Sequence, residues 1–74
     1  MKWSSAEVRD WATYILNKRG FQNVDSVAER FIEHDVIGLL FYGMTCKDFI
    51  KIGLPWGPAK FLEEHITAQF KGVN

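Results

Sequence analysis

Ten residues in the middle of the chain, Val36-Ile37-Gly38-Leu39-Leu40-Phe41-Tyr42-Gly43-Met44-Thr45, restrict its fold more than any other stretch. They are nearly all apolar, too few to cross a bilayer, and interrupted by Gly38 and Gly43, which break regular structure. Such a run is either a buried strand or a short central helix. Both flanks read as helices, and no second strand candidate exists to pair with it. The pattern therefore predicts a short, buried helical turn wrapped by longer helices.

The flanking helices carry their own boundary signals. Ser4 and Glu7 have capping-box spacing, with Trp3 and Val8 at hydrophobic-staple positions. Val8, Trp11, Ala12, Ile15 and Leu16 repeat as one apolar face, Lys18 and Arg19 suit the last turn, and Gly20 stops the helix. Phe21 is placed to plug the core from the loop. A second helix is predicted from about Val24 to Glu33 with Val24, Val27, Ala28, Phe31 and Ile32 inward. Ser26 and Glu29 offer it a possible second capping box. Thr45 caps a fourth helix that turns Phe49 and Ile52 inward and ends at Gly53. Leu54-Pro55-Trp56-Gly57 reads as a loop. Gly57 as N-cap and Pro58 in the first turn open a last helix with Ala59, Leu62, Ile66 and Phe70 as its core face, Phe61 beside them, and Gly72 at its end.

A chain of 74 residues makes one domain, 1–74, near the lower limit for folding on a core alone. Three Trp and six Phe supply that core and leave little surface for a catalytic cleft, so no enzyme, small-molecule substrate or cofactor is expected. His34 and His65 stand far apart and Cys46 has no companion nearby, which argues against a metal site or a Cys/His nucleophile. Glu63 and Glu64 are adjacent on a helix and do not converge as an acid/base pair. One cysteine closes no internal disulfide, and no signal-peptide, membrane-span or lipidation pattern is visible. The expected location is intracellular: cytoplasmic first, with the nucleus open. Nine basic and nine acidic residues cancel, which argues against nucleic acid as the main ligand.

Taken together, Trp3-Ser4, Val8, Trp11, Phe31, Val36, Gly38, Met44-Thr45, Asp48-Phe49, Ile52-Gly53-Leu54, Gly57, Leu62 and Ile66 resemble the sterile alpha motif (SAM) domain over residues 3–70. The resemblance implies an all-α, compact five-helix bundle acting as a protein–protein interaction module. Such domains pair through a mid-chain surface, often acidic, and through the start of the last helix, often basic; some relatives bind RNA hairpins. Ile37, Leu39 and Ile50 depart from the family, standing where polar or small residues are usual. The mid-chain surface is therefore expected to be greasier than average.

Charge distribution agrees with two unlike surfaces. Residues 25–48 carry Asp25, Glu29, Glu33, Asp35 and Asp48 against Arg30 and Lys47, three net negative charges. Residues 1–20 are two net positive and residues 51–71 one net positive. The expected partner is another SAM domain, the chain's own or that of a signalling or scaffold protein, with heterotypic pairing favoured over open polymers. The predicted end-helix surface comprises Leu54, Trp56, Gly57, Ala59 and Lys60; the mid-chain surface comprises Glu33, Asp35, Ile37, Leu39 and Asp48. Gly57, Ala59 and Lys60 are expected to present free backbone N–H groups, and Lys60 adds its charge to that positive helix end. Glu33 and Asp35 stand at a helix end where negative charge is disfavoured. Trp56 has two readings: an exposed binding anchor, or a ring folded back to seal the first and last helices. The alternative function, binding of an RNA hairpin, would require Lys18, Arg19, Lys51, Lys60 and Lys71 to converge.

Overall fold

The structure, a computed structural model, describes residues 2–70. Among them are five helices and no strand: α1 (Ser5–Arg19), α2 (Val24–Glu33), α3 (Gly38–Gly43), α4 (Cys46–Lys51) and α5 (Trp56–Phe70). The predicted end of the last helix at Gly72 lies outside the described residues. The Cα radius of gyration is 11.0 Å, against about 11 Å for a folded chain of this length. α1 packs on α2 and α3, while α4 packs on α5.

Local chemistry sets the boundaries. Ser4 Oγ accepts the Glu7 N–H while Glu7 Oε1 accepts the Ser4 N–H at 2.9 Å, so the predicted box starts α1. Thr45 starts α4 the same way, with Asp48 as its reciprocal partner. α2 differs. Its N-cap is Asn23, left-handed at φ 56° and without a side-chain cap bond, so the Ser26/Glu29 box does not form and both residues fall inside the helix. α5 begins at Trp56, earlier than the predicted Gly57 cap, because Ala59 N–H already bonds the Pro55 carbonyl at 3.1 Å.

Three helices end alike. After α1, Phe21 N–H reaches back to the Leu16 carbonyl; after α2, Val36 N–H reaches Phe31; after α4, Leu54 N–H reaches Phe49. Each is a Schellman closure, with a left-handed residue followed by an apolar one that tucks against the core. The left-handed positions are Gly20 (φ 97°), Asp35 (φ 52°) and Gly53 (φ 109°). The apolar followers are Phe21, half-buried, and Val36 and Leu54, both buried.

The core forms around rings. Phe31, Phe41 and Phe49 are fully buried with centroids 5.4–6.0 Å apart, mostly edge to face, and Trp11 lies 5.7 Å from Phe41. Trp3 lies between Trp11 and Phe70, joining the two ends of the described chain, and its carbonyl accepts the Gly38 N–H at 2.7 Å. The central run, predicted as a buried helical turn, is buried on one side only. α3 sends Phe41 and Gly38 inward, but Ile37, Leu39, Leu40 and Tyr42 face water. A helix this short, lying on the outside of the bundle, has only one face to bury.

Candidate functional site

The exposed apolar residues select the surfaces. At the α5 start, Trp56 is 66% exposed, so its ring does not seal α1 against α5. Pro55 holds the turn before it, and Gly57 follows half-buried, its Cα so close to Phe21 that an added Cβ would come within 3.3 Å of the ring. Gly57 thus permits close packing of loop on helix.

Two members of the predicted end-helix surface are corrected. Leu54 is only 3% exposed and Ala59 is fully buried, so neither side chain meets a partner. Leu54 closes α4, and Ala59 lies on the α5 core face. The positive helix end is smaller than expected too. Ala59 N–H is bonded, Pro58 has none, and the first-turn donors are those of Trp56 and Gly57. Lys60 stands one turn further along, on the same helix stripe as Trp56. Its ammonium lies 3.7 Å from Glu64 and 4.0 Å from Glu63. These are exposed pairs of about 0–1 kcal/mol, which soften the charge without cancelling it.

On the mid-chain side, the structure gathers Leu39, Leu40, Met44, Ile52, Asp48 and Lys51 around one shallow groove between α3 and α4, with His34 at its edge. Leu39 is 68% and Leu40 56% exposed. Ile37 is exposed beside Gly38 and precedes α3 as its N-cap. Leu40 escaped sequence reasoning because a leucine inside an apolar run carries no sign of which side faces water. The acids are more occupied than their formal charges suggest. Glu33 pairs with Arg30 at 2.8 Å, Asp35 is the left-handed residue closing α2, and Asp48 caps Thr45. Bonds from the Thr45 N–H and hydroxyl hold the Asp48 carboxyl below its ordinary range, with Lys51 adding a smaller attraction, against weak desolvation. The Arg30 side chain lies over Gly53, its Nε 3.1 Å from where a Cβ would stand.

The cations of the alternative reading divide among sites. Lys18 and Arg19 line a groove between α1 and α5, Lys51 lines the α3–α4 groove, and Lys60 leans on its own glutamates. Lys71 lies outside the described residues. Among the described residues no three His, Cys, Asp or Glu side chains come together as metal donors, and no helix is long and apolar enough to cross a membrane. Compared with known proteins, the chain matches no described family, no curated protein and no solved structure.

Proposed function

We propose that this chain is a protein–protein interaction module of the SAM kind, in which the Trp56 end of one molecule docks on the α3 face of another. The observation that carries the reading is the exposure of Trp56 and of Leu39 and Leu40 on so small a chain. A large ring at a helix start, next to a lysine, has the chemistry of a binding anchor. A leucine-lined groove with Asp48 at its edge has the complementary chemistry. Self-pairing and pairing with a related module use the same two surfaces, and an adaptor role in an intracellular signalling or scaffold protein rests on the family resemblance. Contacts of this size give affinities of about 1–100 µM unless many copies combine.

Sedimentation of the full chain with Trp56→Ala and Leu39→Glu tests the head-to-tail geometry. Each substitution alone should leave a monomer with an unchanged thermal midpoint. Mixing the two should restore a 1:1 dimer, since each variant keeps the surface the other lacks. A wild type that stays monomeric at about 1 mM confines the reading to heterotypic pairing. Association that survives both substitutions overturns it.

A further inference from the structure

The groove between α1 and α5 is independent of both surfaces above. We propose that it binds a short acidic segment of a partner protein through an aromatic side chain with a neighbouring carboxylate. Its volume is about 500 Å³, enough for one or two side chains. Trp11, Tyr14, Phe61 and His65 form its walls; His65 lies 5.5 Å from Trp11 and 5.3 Å from Phe61. Lys18 and Arg19 stand at one end, and Gln69 adds a side-chain amide that can serve a peptide backbone.

The two cations are what give the groove a direction. Lys18 Nζ lies 5.7 Å from the Tyr14 ring centroid and the Arg19 guanidinium 6.0 Å from that of Phe61. Neither has an acid of its own chain within 4 Å among the described residues, unlike Arg9, Arg30 and Lys60. The groove thus presents a cationic end and an aromatic body, and its complement is a negative charge attached to a flat apolar group. Two cations on a chain of zero net charge suit one or two carboxylates rather than the run of phosphates in a nucleic acid. A second copy is a poorer source of such a group: its exposed Tyr42 and Trp56 have no acid three or four residues away, and the Asp10 one turn from Tyr14 is paired with Arg9 at 3.0 Å.

The probe is an unlabelled peptide of alternating glutamate and phenylalanine, titrated into the isotopically labelled full chain at low salt. A glutamine–phenylalanine peptide and an oligothymidylate serve as controls. Backbone amide shifts read the location. The acidic peptide should shift residues of the α1 end and of α5 around Phe61 and His65. Tyr14→Ala and Lys18→Glu, both at exposed positions, should each weaken binding about tenfold with the helical signal intact. Trp56→Ala should change nothing, which separates this site from the docking surface. Equal binding of the uncharged peptide, tighter binding of the oligothymidylate, or shifts centred on α3 would each overturn the proposal.

Discussion

Asp35 shows how much one backbone angle can explain. An acid at the C-terminal end of a helix opposes the helix dipole, and by sequence it reads as a stability cost kept for binding. The structure supplies a conformational cost as well: at φ 52° it occupies the left-handed position that glycine fills at Gly20 and Gly53. Asp tolerates that region better than most residues but not as well as glycine. Asp35→Gly should therefore raise stability by up to about 1 kcal/mol, read as a higher urea midpoint with unchanged slope. If Asp35 also serves the docking surface, association should weaken in the same variant. Gly53 is the opposite case. Its φ of 109° strains any other residue, and the Arg30 side chain above it would have to shift by a few tenths of an ångström to admit a Cβ. The Asp35 angle is not written in the local sequence, because Asp occurs freely outside the left-handed region, whereas a glycine after a predicted helix, such as Gly53, is the ordinary signal for it.

The elements themselves were largely legible. Both Ser4 with Glu7 and Thr45 with Asp48 are reciprocal caps whose partners lie three residues apart, so short-range chemistry decides them. The predicted span of α2 is the observed one, although its cap is Asn23. The early start of α5 was not legible: Pro55 and Gly57 both signal a turn, and only the Ala59–Pro55 bond places them within a helical opening. The α4 cap carries a pH dependence. Hydrogen bonds from Thr45 depress the folded carboxyl of Asp48 below the ordinary aspartate value of 3.8. A depressed carboxyl stabilises the fold fully above the unfolded value, and that stabilisation is lost as pH falls through the lower folded one. Asp48→Asn should flatten the acid limb of stability below about pH 4, measured by thermal midpoints across the acid range.

At the scale of the molecule, zero net charge conceals an acidic middle and more basic ends, yet the exposed groups best placed for contact are apolar. Added salt should therefore weaken association modestly: less than about tenfold between about 0.05 and 0.5 M, read by sedimentation. A steeper loss would put the charges, rather than Trp56, Leu39 and Leu40, at the centre of the contact. Sequence alone determined the helical class, the caps of α1 and α4, and the inward faces of the long helices, because hydrogen bonds three or four residues apart and a 3.6-residue period are local properties. Tertiary structure decided which apolar residues remain in water. Phe41 and Leu40 are neighbours in one greasy run, but Phe41 meets Trp11, Phe31 and Phe49, while Leu40 faces outward. Burial is set by what other elements bring to a face, and no window of sequence around α3 contains those elements.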